Sequence, residues 1–588
     1  MDDGQLSVPR QPRPGGLGTV TIEAQDAQET TGAFTESVFE DYKPNRLKIE
    51  GAKPHSYPLK ESAAMSAVSL PAPTYNPNLP QHIITAGKLS AAQLEATVYA
   101  GQAHSKMMPS GERGGFAIGD GTGVGKGREI VSILWDNWAQ GRKKGVWVSD
   151  GPSLITSAKR DMELTGWDPA LVKLIPKAGE AIKDKEGIIF VGYDTLKMRG
   201  TQQAGQPAAS VQSRVDQLVN WLGEDFDGVI AFDEAHAMNN AKGNAPGTAA
   251  RGGQVASQKA LAGVELQRRL PNARVVYVTA TMAEQPQNLA FADRLGLWGS
   301  GTAFANRDAF LNEIESGGVA VMEVLARDMK ALGRYISRNL SYDGVKYERM
   351  THNLTPDQTK VYNELANAWQ IIFRNMTDAL DDTGADAMTK RHALAHFWGY
   401  NQRFFNQLVT SLQMPTLLKA MEADLAKGSS PILQLVNTYG DATERTIAKR
   451  EEGVELDELD FTPRQMLIQY LERSYPVQQY EEFTDANGDV RVRAVVDSQG
   501  NPVLNPEAVA MRDRLITELG MLVYPENPLD QVLNKFGSDM VAEVTGRKQR
   551  IVKYQGETKL EKRGNAAVEK DIQAFNDDKK RILIFSGK

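Results

Sequence analysis

The sequence predicts an α/β protein built on a parallel sheet, and three observations carry that prediction. A glycine-rich stretch, Gly119-Asp120-Gly121-Thr122-Gly123-Val124-Gly125-Lys126-Gly127-Arg128, sits between an apolar run, Phe116-Ala117-Ile118, and a helix-like run, Glu129-Ile130-Val131-Ser132-Ile133-Leu134-Trp135. Two later apolar runs end in polar signatures: Val229-Ile230-Ala231-Phe232 leads into Asp233-Glu234-Ala235-His236, and Val275-Val276-Tyr277-Val278 into Thr279-Ala280-Thr281. Across 116–300, short apolar strands at 116–118, 146–149, 188–192, 229–232 and 275–279 alternate with helical stretches. That alternation gives a parallel sheet with helices on both faces. Each polar signature falls at the carboxyl end of a strand, where open α/β sheets bind ligands.

Strand, glycine loop, lysine and helix is the layout of a phosphate-binding P-loop. The glycines let backbone N–H groups turn toward one point, and the helix N-terminus adds its partial positive charge there. Lys126 is expected to reach the β- and γ-phosphates of ATP, with 121–128 forming the nucleotide-binding stretch. The fit to G-x-x-x-x-G-K-[ST] is partial: Asp120 stands where the first Gly belongs, and Gly127 where the magnesium-binding hydroxyl belongs. A dinucleotide fingerprint is the competing reading, and Asp150 supplies the acidic residue it needs about 20 residues on. Its glycine spacing does not match, however, and it leaves Lys126 without a role. Asp233 is expected to hold Mg2+, usually through water, and Glu234 to polarise the attacking water. P-loop, strand-DEAH and strand-TAT in that order is the arrangement of superfamily 2 helicases and translocases. In that class His236 and Thr279, Ala280 and Thr281 couple nucleotide state to the nucleic acid. Gln93, which follows an N-cap at Ser90, is expected against the adenine edge.

Composition bounds the alternatives. A chain of 588 residues is too long for one core, and three or four domains is the prior. It is 41% hydrophobic and 24% charged, as ordinary globular proteins are. It has no cysteine, which excludes disulfides, thiolate catalysis and Cys-ligated zinc. No apolar run approaches the 18 or so residues of a membrane span, and the N-terminus lacks a signal-peptide layout, so a cytoplasmic location is expected. The net charge of −7 lacks the basic excess of many nucleic-acid binders. That weighs against a coating role but leaves a motor with a local strip of phosphate contacts.

Along the chain, 1–35 reads as a disordered tail and 36–88 as an extended arm rich in aromatics and proline, with Tyr42, His55 and Tyr57. The first lobe is expected over 89–302. Its loops at 149–161 and 192–196 either hold a nucleic-acid backbone or simply connect elements. The Gly- and Ala-rich stretches 200–215 and 238–256 are expected to be mobile. A helical region follows over 303–428. Within it, His396-Phe397-Trp398-Gly399-Tyr400-Asn401-Gln402-Arg403-Phe404-Phe405 reads either as a base-stacking surface or as a buried helix face. A second α/β unit spans 429–588. Asp485-Ala486-Asn487-Gly488-Asp489 lacks the sixth-position Gly and final Glu of a calcium loop. Its Asn-Gly reads instead as a hairpin turn in a small β insertion near 478–505.

These residues together resemble the strawberry notch family of superfamily 2 NTPases. The resemblance rests on Leu89-Ser90-Ala91-Ala92-Gln93-Leu94-Glu95, the stretch Ile118 to Arg128, Phe232-Asp233-Glu234-Ala235-His236, Phe461-Thr462-Pro463-Arg464, and Val541-Ala542-Glu543-Val544-Thr545-Gly546-Arg547. The family's P-loop also reads G-K-G-R, so Gly127 is a family trait. The resemblance implies two RecA-like lobes with ATP and Mg2+ between them, a helical region separating the lobes, and nucleic-acid-dependent ATP hydrolysis, with DNA as partner more than RNA. It also implies a chain of the bacterial or phage kind. The strand at 581–586 is followed only by Gly587-Lys588. Motors of this class place two more motifs there, one with an arginine for the transferring phosphoryl group. Arg547 and Arg550 are poor substitutes by position. The second lobe is therefore expected to be incomplete, finished by a further C-terminal segment or a protein partner, and hydrolysis by this chain alone to be slow. The rival reading is a nucleotide-binding scaffold or switch without efficient hydrolysis.

Overall fold

The computed structural model describes residues 22–24, 39–44, 46–198, 212–239, 257–282, 289–435, 463–484, 490–547, 549–554 and 557–586. The chain divides into two compact units, Met1–Lys346 and Tyr347–Lys588.

The first unit is built on a seven-stranded sheet whose pairings are all parallel. From edge to edge its strands are Tyr335–Ile336, Phe116–Ile118, Arg274–Val278, Val229–Asp233, Lys144–Ser149, Gly187–Gly192 and Val172–Leu174. Because successive side chains alternate between faces, one face buries Val146, Val148, Ile230, Phe232 and Tyr277. The other buries Phe116, Ile118, Trp147, Ala231, Val276 and Val278. Helices cover both faces, which is why the strands read as continuous apolar runs.

Two edge strands, Val172–Leu174 and Tyr335–Ile336, lie outside the strands expected from sequence. The second moves a boundary. The helix Arg307–Ala331 falls in the helical region expected over 303–428, but it buries Phe310, Leu311, Ile314, Met322 and Met329 in the core of the first unit. Tyr335–Ile336 then pairs with the P-loop strand, Ile336 opposite Ile118. The arm is also more folded than an extended strap. Phe39–Tyr42, Leu59–Ser62 and Asn339–Leu340 form a three-stranded antiparallel sheet. Tyr42, Leu59 and Leu340 close a small core with Ala92 and with Val124 of the glycine loop. Of the expected tail, the described residues Ile22–Ala24 pair with Leu47–Ile49; the rest, and most of 200–215 and 238–256, lie outside the described residues.

In the second unit, Pro356–Asp382 starts at a Thr355 capping box with proline in its first turn. It packs with Ala387–Ala426, Arg464–Ser474 and Pro506–Gly520. The aromatic run divides: Phe397 and Phe404 meet Trp369 at ring-centroid distances of 5.4 and 5.3 Å in the core, whereas Trp398 is 56% exposed. A parallel three-stranded sheet, Ile432–Leu435, Ile582–Ser586 and Val541–Val544 in that order, forms the α/β part. The expected hairpin pairs Tyr480–Thr484 with Val490–Ala494; its Asn-Gly turn and Phe461-Thr462 lie outside the described residues.

Candidate nucleotide-binding site

The sheet register assembles the site. Val278 lies opposite both Ile118 and Asp233, so the chain leaves three neighbouring strands at one end, as Gly119, Thr279 and Glu234. The Thr279 N–H donates to Ile118 O at 3.0 Å and ties the first two exits together.

Gly125 caps the helix Lys126–Ala139 in the left-handed region, at φ 101°. A Cβ at Gly125 would lie 2.2 Å from Gln93 Nε2, so conformation and space both require glycine. The N–H groups of Lys126 and Gly127, in the first turn, have no intrahelical acceptor and stand at the positive end of the helix. Lys126 has no hydrogen bond or ion pair with any described residue. Thr122 and Gly123 are exposed, Val124 is buried, and Arg128 is half-buried. The amide of Gln93, the residue expected against the adenine edge, meets the loop backbone. Its Nε2 donates to Val124 O at 2.9 Å, while its Oε1 accepts from the Ser90 N–H at 3.0 Å in a capping box. The His55 ring reaches the same Val124 carbonyl, at 3.2 Å. Sequence reasoning gave His55 no role, since its only signal was a place among the arm's prolines.

Asp120, the departure from the P-loop pattern, is fully buried against Arg338. Arg338 Nη2 donates to Asp120 Oδ2 at 2.6 Å and Nε donates to both carboxylate oxygens. The Arg338 N–H adds a bond of 2.9 Å to Oδ1. The same guanidinium meets Glu129 at 2.6 Å and Glu95 at 3.3 Å, and the Tyr42 hydroxyl donates to Glu95. One cation among three buried carboxylates cannot offset them all. Burial, then the charge of Asp120, pushes Glu129 far above the usual carboxyl range. Burial pushes Glu95 up to about 6, with Arg338 opposing it.

At the neighbouring exit, Asp233 Oδ2 accepts from Ser149 Oγ at 3.1 Å, and the Tyr193 hydroxyl donates to Asp233 O at 2.9 Å. Burial, then the charge of Glu234, pushes Asp233 up to about 6. Glu234 has φ 48°, one of two non-glycine residues with positive φ among the described residues. Such backbone costs about 1–3 kcal/mol and persists only where surroundings enforce it; here the Glu234 N–H donates to Asp233 Oδ1 at 3.0 Å.

His236 Nδ1 lies 3.3 Å from Glu234 Oε2 and 3.0 Å from Thr279 Oγ1, and Thr279 Oγ1 is 3.3 Å from Thr281 Oγ1. A polar chain therefore links the DEAH and TAT loops. Ala280 is exposed between the threonines. Ser149 and Tyr193 lie in the two loops that the sequence offers for a nucleic-acid backbone, yet both are buried and bond Asp233. Asp150, 152–154, Thr156 and Arg160 are the exposed positions of the first loop.

In the second unit, Arg547 and Arg550 are buried in an ionic cluster. Arg547 Nη1 is 2.7 Å from Asp530 and Arg550 Nη1 is 2.8 Å from Glu543. Against the upward push of burial, Arg547 and Arg563 pull Glu543 down to about 2. Both arginines are thus engaged within their own unit.

A family profile described as P-loop containing NTP hydrolase pore-1 matches residues 54–364, and one described as the C-terminal domain on strawberry notch homologues matches 527–588. The chain belongs to the strawberry notch family of P-loop NTP hydrolases. The rat strawberry notch homolog 1 is 31% identical over 645 residues, covering 96% of this chain and 49% of its own length. FORGETTER 1 of Arabidopsis thaliana is 34% identical over 472 residues, covering 79% of this chain and 35% of its own. The chain thus spans half or less of the length of these two relatives, both of them eukaryotic. Among solved structures, the Sulfolobus solfataricus SWI2/SNF2 ATPase core in complex with dsDNA covers 62% of this chain and 72% of its own, with 14% identity and a TM-score of 0.27. Among the described residues, no helix is long and apolar enough to cross a membrane.

Proposed function

We propose that this chain is an ATP-dependent motor of superfamily 2 that couples ATP hydrolysis to binding DNA or moving along it. The observation that supports this best is the register that sets Ile118, Val278 and Asp233 side by side. It presents a cationic glycine loop, a carboxylate pair and a relay of hydroxyls at one end of one sheet.

In this reading the N–H groups of the loop and Lys126 bind the ATP phosphates, with 121–128 wrapped around them. Gln93 and His55 hold the loop from behind through Val124. Mg2+ would be held by Asp233 and would supply neutralisation of phosphate charge. Glu234 orients the attacking water and accepts its proton. Positioning and charge neutralisation supply most of the rate in phosphoryl transfer. His236 passes the state of Glu234 to Thr279 and Thr281, and thereby to the nucleic-acid track.

The test is ATP turnover with and without duplex DNA, single-stranded DNA and RNA, with Glu234→Gln as the blank. DNA stimulation that vanishes in the blank supports the motor. Nucleotide binding without turnover on any track overturns it in favour of a scaffold or switch. Gly127, which lacks the hydroxyl of other P-loops, is the observation that favours that second reading.

A further inference from the structure

The place left by Gly127 is filled by a carboxylate from another helix. A Cβ built on Gly127 would lie 2.0 Å from Asp161 Oδ2 and 3.0 Å from its Cγ. Asp161 sits on the helix Ile155–Thr165, which follows the strand Lys144–Ser149 and packs along the P-loop helix. Its side chain therefore points into the volume that a Ser or Thr at 127 would take. Among the described residues the carboxylate has no hydrogen bond or ion pair; Arg160 and Arg128 act on it only through space.

We infer that Asp161 replaces the missing P-loop hydroxyl as a protein oxygen that would serve Mg2+, directly or through a water, when the ion arrives with the nucleotide. The inference rests on the proposed nucleotide reading and makes its metal site specific. Mg2+ is a hard cation that takes one or two carboxylates together with substrate phosphates. Swapping a hydroxyl for a carboxylate has a cost of its own. Without the cation, Asp161 repels phosphate; with it, Asp161 attracts the pair. Nucleotide affinity should therefore depend on Mg2+ more steeply than with a neutral ligand.

The measurement is the dissociation constant of a fluorescent ATP analogue on the full chain, in Mg2+ and in EDTA, by anisotropy. For Asp161→Asn, binding in EDTA should tighten or hold while binding in Mg2+ weakens. The ratio of the two constants should fall about tenfold or more, as for losing a group that orients a metal. Gly127→Ser alone collides with Asp161 and should weaken binding in Mg2+. Gly127→Ser combined with Asp161→Ala restores an oxygen at the site and should bring the affinity in Mg2+ back toward the wild-type value. Circular dichroism melts check each fold, and the double variant carries the test if Asp161→Asn alone unfolds. An unchanged ratio in Asp161→Asn, or no recovery in the double variant, overturns the inference while leaving the nucleotide site intact. A wild-type chain that binds no nucleotide in either buffer overturns the underlying reading instead.

Discussion

Arg338 Nη2 and Asp120 Oδ2 lie 2.6 Å apart with neither side chain exposed, joining positions 218 residues apart in the chain. The aspartate that breaks the P-loop pattern is thus the anchor of the loop. Arg338→Met leaves Asp120 and its neighbouring acids buried without their cation. Removing one partner of a buried pair costs about 3–5 kcal/mol, and urea unfolding followed by fluorescence should register a loss of that size. Asp120→Asn in the same chain should return part of it, since the two side chains are in contact. A loss below about 1 kcal/mol would leave the anchor without energetic weight.

Lys126→Ala should abolish tight nucleotide binding while the fold survives, because its ammonium is held by no described residue. Loss of a charge-assisted contact is worth about 1.5–3 kcal/mol, a factor of roughly 12–160 in affinity. Binding within about threefold of wild type would remove Lys126 from the phosphate site.

Glu234→Gln keeps the oxygen that faces His236 and the backbone turn but removes the base. ATP binding should persist and turnover should stop, read by phosphate release under saturating ATP. Hydrolysis near the wild-type rate would take Glu234 out of the mechanism.

His236→Ala cuts the bridge from Glu234 to Thr279. Nucleotide affinity and basal turnover should change little, while stimulation by nucleic acid is lost. Equal stimulation in both proteins would show that the TAT loop receives its signal elsewhere.

His104 ends the helix that carries Gln93. It is 1% exposed, with Nε2 3.1 Å from Val275 O and Nδ1 without a hydrogen-bond partner among the described residues. Burial, then Arg274, pushes it down to about 3. The unfolded chain, with an ordinary value near 6.5, binds this proton first. The stability that neutral His104 contributes is present above about pH 6.5 and is lost as pH falls toward 3, at a cost of about 3 kcal/mol by pH 4. His104→Gln should flatten the profile of urea midpoint against pH by that amount. Parallel profiles for the two proteins would contradict the buried neutral imidazole.

The glycine loop, the DEAH and TAT strand ends and the central strands were legible because 116–118, 229–232 and 275–279 are continuous apolar runs ending in unusual polar groups. Asp120 and Gly127 were legible as departures, but their physical reasons were not. Those reasons are Arg338 and Asp161, contacts that no local pattern encodes. Tyr335–Ile336 is too short to carry a period of two. The helix Arg307–Ala331 was visible as a helix, but nothing in its own spacing says which core it joins. The aromatic run divided as helix geometry requires: Phe397 and Phe404, seven residues apart, share a face, and Trp398 turns away.

The strand Tyr335–Ile336 and the arginine just beyond it also bear on how the protein is made. On the ribosome, the loop at 119–128 emerges long before residue 338 exists. Until Arg338 arrives, Glu95, Asp120 and Glu129 share an interior without the guanidinium that joins them, and the strand Phe116–Ile118 keeps an open edge. Chains usually fold unit by unit as they are synthesised, N-terminal first. Here the first unit waits for its last few residues, so its nucleotide site is completed by the end of translation of that unit and not by its beginning.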